Sequence, residues 1–212
     1  MGFHRAGFDV VGVDLAPQPD YPFEFHQADA LTFPLEGFDV IHASPPCQKW
    51  TAYKRRPNHV APRLDLIGAV RERIGPAPYV IENVAGAPLG SFAFHLCGST
   101  FGLDVRRHRF FEVRPCDLYR IAPPCDHSWQ MPRFAPATNR SNLRRTVEVG
   151  VWRIPLDVQH RAMGIDWMTR EELSQAIPPA YTEWIGRHLM AALGEEPNSS
   201  AAEAPHPVPS AG

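Results

Sequence analysis

The stretch that decides the fold runs from residue 37 to residue 48 and reads Gly-Phe-Asp-Val-Ile-His-Ala-Ser-Pro-Pro-Cys-Gln. Its first half has the β-branched and aromatic content of a buried strand. Pro45 and Pro46 then end the strand and stiffen the turn. Cys47 therefore stands at the carboxyl end of a predicted parallel strand, where open α/β sheets place their ligands. From this stretch alone, a nucleophilic cysteine and a plain loop cysteine both remain open.

Short apolar runs alternate with helical patterns on either side of this stretch. We predict further strands over residues 9–14, 24–29, 79–81, 94–97 and 109–113. We predict helices over residues 63–74, 157–163, 170–175 and 179–193, where apolar side chains recur at helical spacing. This alternation predicts an α/β domain built on a parallel sheet.

Size and composition bound the function. The chain has 212 residues and a formal net charge of -2, which suits one sizeable domain with a small appendage. Its apolar runs are too short to span a bilayer and it opens with no signal-peptide pattern, so we expect a cytoplasmic protein without a membrane partner. Arginines cluster at residues 55–56, 106–109 and 140–145. They are candidate phosphate contacts, although a solvated charged face explains any single cluster as well.

Three tripeptides together point to a family. Pro46-Cys47-Gln48 resembles the catalytic tripeptide of the DNA cytosine carbon-5 methyltransferases, and Glu82-Asn83-Val84 resembles that family's second signature. Arg107-His108-Arg109 resembles its Arg-x-Arg element. They occur in the family's order and at family-like spacing, and the resemblance covers residues 2 to about 193. It implies a doubly wound, Rossmann-like methyltransferase sheet and methyl transfer from S-adenosylmethionine to cytosine carbon 5 in DNA.

The resemblance assigns four catalytic residues. The thiolate of Cys47 would attack carbon 6 of the base, which makes carbon 5 able to accept a methyl group. Glu82 would act as an acid near ring nitrogen 3, if burial raises its pKa. Arg109 and Arg107 would hold the carbonyl oxygen of a base flipped out of the duplex. Residues 48–62 would form the mobile loop that flips the base.

The same resemblance places an S-adenosylmethionine site at the carboxyl ends of the first two strands. Asp14 would accept both ribose hydroxyls, and Leu15 would pack on the adenine ring. Asp29 would accept the adenine amine, with Ala30 beside it. Pro46 would line the same site, and Gln175 stands where the family has an Asn contact. Without a cofactor, Asp14 and Asp29 would be ordinary turn-forming residues at strand ends.

The family's opening strand and its Phe-x-Gly-x-Gly-Gly loop end about where Met1-Gly2-Phe3 begins. We therefore expect either a start assigned too late or a truncated remnant of doubtful activity. The missing strand would be central, between the strands over residues 10–14 and 38–42. Those two strands would then each present an unpaired edge or close upon each other.

The predicted organisation is a catalytic domain over residues 1–113 and 147–194. A short, irregular target-recognition insertion covers residues 114–146, and a disordered tail covers residues 195–212. Double-stranded DNA is the expected partner of a monomer, and a restriction endonuclease counterpart is left open.

Cys116, Cys125 and His127 are weak zinc-ligand candidates, with Cys97 or His108 as a fourth. Their spacing matches no standard finger, so ordinary loop cysteines are favoured and no metal is assigned. Three rival functions stand beside DNA methylation: an inactive relative that at most binds DNA, a transfer RNA cytosine methyltransferase, and a non-catalytic zinc-stabilised DNA-binding module.

Overall fold

The structure is a computed structural model that describes residues 1–50, 65–131 and 144–194. Its fold is mixed α/β, with a small mixed sheet and several helices. The strands are β1 Val11–Asp14, β2 Glu24–Gln27, β3 Ile41–Ala43, β4 Tyr79–Asn83, β5 Phe94–Leu96, β6 Arg109–Arg114, β7 Gln130–Met131 and β8 Arg144–Arg145. The α-helices are α1 Gly2–Arg5, α2 Ile67–Ile74, α3 Leu156–Met163, α4 Arg170–Gln175 and α5 Pro179–Leu193.

The largest sheet has four strands in the order β3-β4-β6-β5. β3 and β4 are parallel, but β6 runs antiparallel to both of its neighbours. The prediction of a wholly parallel sheet was therefore wrong for β6. The physical reason is that the β5–β6 connection, residues 97–108, contains no α-helix, whereas a parallel return usually needs a helical crossover. A short turn at Gly98–Phe101 reverses the chain instead.

β1 and β2 form a separate parallel pair. Within the described ranges, no ladder joins this pair to β3. α1 connects them through aromatic contacts: the Phe3 ring lies 5.1 Å from the ring of His42, and the His4 ring lies 4.9 Å from that of Phe23. α1 also packs on α5 so closely that a Cβ at Gly2 would overlap Thr182.

Helices cover both faces of the four-stranded sheet. One face packs against α5 through Val80, Phe94, Leu96, Phe111, Tyr181, Ile185 and Leu189. The other packs against α2 through Ile67, Ile74, Tyr79 and Ile81. Burial of such side chains contributes roughly 1.5–3 kcal/mol each. A third cluster joins α3 and α4 to the loop before β6, with Val105, Ala162, Met163, Ile165 and Leu173 at its centre.

Local sequence signals explain where the last two helices begin and end. Thr169 caps α4 in a capping box with Glu172, and Pro179 opens α5 at its first turn. Gly194 ends α5 with a φ of 76°, a conformation that glycine adopts without strain. Both helices have the predicted bounds, whereas β3 begins three residues later than predicted.

No helix in the described part of the chain has the length and apolar run that a membrane crossing needs. Residues 51–64, 132–143 and 195–212 lie outside the described residues. They include most of the predicted base-flipping loop, the middle of the predicted recognition insertion and the predicted disordered tail.

Candidate active site

The turn that carries Cys47 is fixed to the end of β4. β3 and β4 pair Ala43 with Ile81, so the next residues along the two strands, Ser44 and Pro45, run beside Glu82 and Asn83. The side-chain amide of Asn83, which is 1% exposed, donates to the carbonyl oxygen of Pro45 at 2.9 Å. This buried bond holds the first two predicted motifs, residues 46–48 and 82–84, against each other.

Strand register brings the third motif to the same place. Glu82 pairs with Phe111 across β4 and β6, so both side chains lie on the face that packs on α5. Arg109 is two residues from Phe111 and shares that face. Its Nε lies 3.2 Å from Oε1 of Glu82, and the two side chains are only 18% and 9% exposed. The geometry is that of a shielded ion pair between two predicted catalytic residues.

Burial dominates the acidity of Glu82. It raises the pKa of this carboxyl above the usual range, although Arg109, a hydrogen bond with Ser44 and Arg107 oppose the shift. A carboxyl with a raised pKa can hold a proton at a pH where an exposed glutamate is ionised. Such a group is suited to general acid catalysis.

Arg107 has a different set of partners. Its Nε donates to the carbonyl oxygen of Ala176 at 2.8 Å, and its Nη2 donates to that of Ser174 at 2.6 Å. These carbonyls lie at the end of α4, where a cation is favourable. The hydroxyl of Tyr181 donates to the Arg107 carbonyl at 3.0 Å. The backbone of Arg107 has a φ of 35°, and it is the one non-glycine residue with positive φ in the described ranges.

Electrostatics link Arg107 to the other three residues. Burial, and next the charge of Arg109, lower the pKa of Arg107 to about 9, while Tyr181, Glu82 and Cys47 act in the opposite direction. The guanidinium therefore stays protonated at neutral pH. Arg109, Glu82 and Cys47 thus all influence the charge of Arg107, and the Asn83–Pro45 hydrogen bond fixes the Cys47 turn beside Glu82.

A cavity of about 290 Å³ opens beside the two arginines. It is lined by Val105, Arg106, Arg107, Arg109, Thr146, Val147, Glu148 and Val149. This volume is at the small end of the range for ligand sites, and guanidinium groups on one wall suit a flat ligand with an acceptor oxygen.

The predicted cofactor residues fall into three places. Asp14 ends β1 and Asp29 follows β2, so their parallel pairing puts both at one edge together with the neighbouring Leu15 and Ala30. Leu15 is 70% exposed, which is unusual for a leucine and leaves its side chain free to pack on a ligand. The carboxylates of Asp14 and Asp29 accept from the backbone N–H groups of Ala16 at 2.8 Å and Leu31 at 2.9 Å. Those bonds are the turn-forming role that the alternative interpretation gives them.

Pro46 and Gln175 lie elsewhere. Pro46 is exposed in the Cys47 turn, and Gln175 is exposed at the last residue of α4, beside the carbonyls that Arg107 binds. Asp14 and Asp29 therefore lie together at the end of one strand pair. Pro46 and Gln175 lie instead beside the predicted catalytic residues Cys47 and Arg107.

A second group of reactive side chains includes His108, the residue between Arg107 and Arg109. Its members are Cys97, His108, Cys125 and His127, whose four candidate ligand atoms all lie within 4.8 Å of one another. Cys97 Sγ is 3.2 Å from Nε2 of His127, and Cys125 Sγ is 3.2 Å from Nε2 of His108. We call this group the Cys–His cluster.

The Cys–His cluster includes two of the three weak zinc candidates and both residues named as a fourth. Cys116 lies outside it, and its thiol is 3.9 Å from the carbonyl oxygen of His188. What the sequence did not reveal is the pairing of Cys97 with His108. The register of β5 and β6 pairs Leu96 with Arg109, so Cys97 and His108 are the next residues along the two strands. Only the short antiparallel return between β5 and β6 puts them opposite each other.

Comparison with known proteins returns no relative. No family model, no curated protein and no solved structure matches the chain. Its own residues and their geometry therefore carry the functional argument.

Proposed function

We propose that this protein transfers a methyl group from S-adenosylmethionine to carbon 5 of cytosine in DNA, through a covalent adduct with Cys47. The observation that carries the proposal is the meeting of three motifs that lie far apart in the sequence. The Asn83–Pro45 hydrogen bond joins the first two, and the Glu82–Arg109 contact joins the second to the third.

Cys47 is the nucleophile of the proposed reaction. Carbon 5 of cytosine is a poor nucleophile, and addition of a thiolate at carbon 6 converts the ring into an enamine whose carbon 5 can attack an electrophilic methyl group. S-adenosylmethionine, when bound, supplies that methyl group and leaves as the neutral thioether. A base from solvent then takes the proton from carbon 5, and the electron pair of that C–H bond expels the Cys47 thiolate and restores the aromatic ring.

Glu82 and Arg109 compensate the charge that develops on the ring during thiolate attack. Glu82 would donate a proton to ring nitrogen 3 and so offset the negative charge that thiolate addition at carbon 6 spreads over the ring, and burial raises the pKa of this carboxyl. Arg109 lines the cavity and orients the Glu82 carboxyl, and its guanidinium can also donate to the base's carbonyl oxygen. Arg107 is a positioning residue, because its donors are already engaged by the end of α4.

The doubly wound methyltransferase sheet is part of the same proposal. Two parallel pairs, β1–β2 and β3–β4, and helices on both faces of the larger sheet support it. Asp14, Leu15, Asp29 and Ala30 at the edge of the first pair, with Pro46 and Gln175, are the residues proposed to hold S-adenosylmethionine. Exposure of Leu15 favours this role, since an adenine ring would cover it.

The test is methylation in cells. The full chain is expressed in a host that lacks cytosine carbon-5 methylation, and bisulfite sequencing is applied to its DNA and transfer RNA. We expect protected cytosines in DNA at a recurring short sequence. The Cys47→Ser variant should give none, while Cys116→Ser, which alters a thiol outside the site, should match the parent.

Protection that persists in Cys47→Ser would contradict the proposed chemistry. Protection confined to transfer RNA would keep the chemistry and replace the substrate. No protection in either nucleic acid, from a chain that is shown to be folded, would reject the proposed activity.

A further inference from the structure

We infer that the Cys–His cluster is a structural zinc site, with Cys97, His108, Cys125 and His127 as its four ligands. This inference does not rest on methyl transfer, because the cluster stands on its own contacts and shares no side chain with the proposed catalytic group.

The dimensions of the cluster fit a tetrahedral zinc ion. Zn–S bonds of about 2.3 Å and Zn–N bonds of about 2.1 Å place tetrahedral donor atoms about 3.3–3.8 Å apart. In the Cys–His cluster the closest sulfur–nitrogen pairs are 3.2 Å apart and all four atoms lie within 4.8 Å of one another. Movements of less than about 1 Å would give each atom a zinc bond.

The chemistry of the donors favours zinc over other cations. Two thiolates and two neutral imidazoles compensate the charge of a divalent ion, and a sulfur–nitrogen set at tetrahedral separations is typical of zinc. Four protein ligands leave no open position for water or substrate, which is the arrangement of a structural centre. Calcium and magnesium require oxygen donors, which this set does not offer.

Outer contacts orient the two thiols. The hydroxyl of Ser99 lies 3.2 Å from Sγ of Cys97, and Nε2 of His95 lies 3.2 Å from Sγ of Cys125. Groups of this kind commonly support metal-bound sulfur and tune its affinity. His95 is therefore expected to strengthen metal binding without being one of the four ligands.

The site would fasten an irregular segment to the sheet. Cys97 follows β5 and His108 precedes β6, whereas Cys125 and His127 come from the loop between β6 and β7. That loop is also held by a hydrogen bond from Thr100 Oγ1 to the carbonyl oxygen of Pro124. Leu118 anchors the first part of this loop in the core, and a zinc ion would add several strong bonds to the part that carries Cys125 and His127.

The site would also hold the Arg107–Arg109 segment. His108 lies between the two arginines, and Arg107 has the positive φ of 35°. A strained backbone conformation persists when surrounding bonds determine it. Coordination of His108 would supply such a bond from one face while the side chains of the arginines engage α4 and Glu82 on the other.

The first experiment measures metal content. The full chain is purified without chelator or affinity metal and analysed by plasma mass spectrometry, beside four variants. We expect about one zinc per chain for the parent and for the matched control Cys116→Ser. Cys125→Ser and His127→Ala, which alter half-buried ligands, should retain less than about one fifth of that amount. His95→Ala should bind one equivalent at saturating zinc with roughly 10-fold lower affinity.

The second experiment does not depend on any variant folding. The parent is stripped with a chelator and titrated with Co²⁺ while its visible absorption is recorded. Tetrahedral cobalt with two thiolates gives intense ligand-field bands and a sulfur charge-transfer band, and one equivalent of Zn²⁺ should abolish both. A parent that contains no zinc and develops no such bands would overturn the inference, as would equal metal loss in Cys116→Ser and Cys125→Ser.

Discussion

The proposed catalytic group around Cys47 and the Cys–His cluster meet at three consecutive residues. Arg107 and Arg109 belong to the first region and His108 belongs to the second. His108 and Arg109 are successive residues at the start of β6, where neighbouring side chains point to opposite faces, so one short segment can contribute to both regions. The first region was predicted from tripeptides, and the second was assembled from residues whose spacing resembles no standard site. Local motifs therefore predict candidate residues at strand ends, whereas residues brought together across a chain reversal have no spacing that singles them out, and the sequence offered them only as weak candidates.

The largest expected effect concerns the first region. DNA carrying 5-fluorocytosine should form a covalent complex with the parent in the presence of S-adenosylmethionine, because fluorine at carbon 5 cannot leave as a proton does. Cys47→Ala should form none, since the bond to carbon 6 needs the thiolate. The complex is measured by denaturing gel electrophoresis. The control Cys116→Ala should form the complex as the parent does. If Cys47→Ala forms as much complex as the parent, Cys47 is not the nucleophile.

The next effect concerns the second region. If the Cys–His cluster holds zinc, chelation should lower the free energy of unfolding by about 4 kcal/mol, the linkage expected when a ligand at about 1,000 times its Kd is removed. Urea unfolding with and without chelator measures this loss. Cys116→Ser should respond to the chelator as the parent does. If Cys125→Ser loses as much stability on chelation as the parent does, the chelated metal is not bound by the Cys–His cluster.

Glu82→Gln should separate chemistry from stability within the first region. We expect methyl transfer in single turnovers to slow by about 10²-fold, the usual loss when general acid help is removed. The carboxamide keeps the shape of the buried side chain, so circular dichroism should be unchanged. An unchanged transfer rate would mean that Glu82 has no part in the reaction.

The same variant has a predictable pH dependence. Burial raises the pKa of Glu82 in the folded protein, so its contribution to stability is present below the unfolded pKa of about 4.3 and is lost as pH rises through the folded value. Glutamine does not titrate. The stability of Glu82→Gln relative to the parent should therefore increase with pH, as measured by urea unfolding across that range.

The smallest effect concerns a polar group that belongs to neither region. Glu112 lies on the α2 face of the sheet, where it accepts from Arg71 Nη2 at 2.7 Å, from the Tyr79 hydroxyl at 2.6 Å and from the Gly90 N–H at 2.6 Å. Burial alone would raise its pKa, but these hydrogen bonds outweigh it and lower the pKa of Glu112 to about 2. Glu112→Gln should cost about 2 kcal/mol of unfolding free energy at neutral pH.

The cost of Glu112→Gln should also depend on pH. The stabilisation by Glu112 is present above the unfolded pKa of about 4.3 and is lost as pH falls toward about 2, so the cost should shrink over that window. Asp157→Asn is the control, because its ion pair with Arg161 is exposed and should change stability by less than about 0.5 kcal/mol. A cost of Glu112→Gln that does not change with pH would show that the charge of Glu112 is not what stabilises the sheet.

The fold was predictable where short-range signals act alone. The capping box at Thr169 and the proline that opens α5 fixed two helices to the residue, because each signal satisfies backbone groups within one turn. β3 was predicted to begin too early, since Phe38 and Val40 are strand-forming residue types but have no ladder partner among the described residues. The direction of β6 was missed for a related reason. Strand composition does not distinguish parallel from antiparallel neighbours, and the direction of β6 follows from a connection that reverses the chain without a crossover helix.

The sequence by itself determined which residue types stand at the strand ends: Cys47 after Pro-Pro, Glu82 after a buried run, and two arginines around His108. It determined this because strand, turn and helix signals depend on neighbours along the chain. Only the tertiary structure decided that Arg109 contacts Glu82, that Arg107 binds the end of α4, and that Cys97 meets His108 while Cys116 does not. Those contacts depend on strand register and on the packing of α4, which are set by burial across the whole domain and by no single stretch of it.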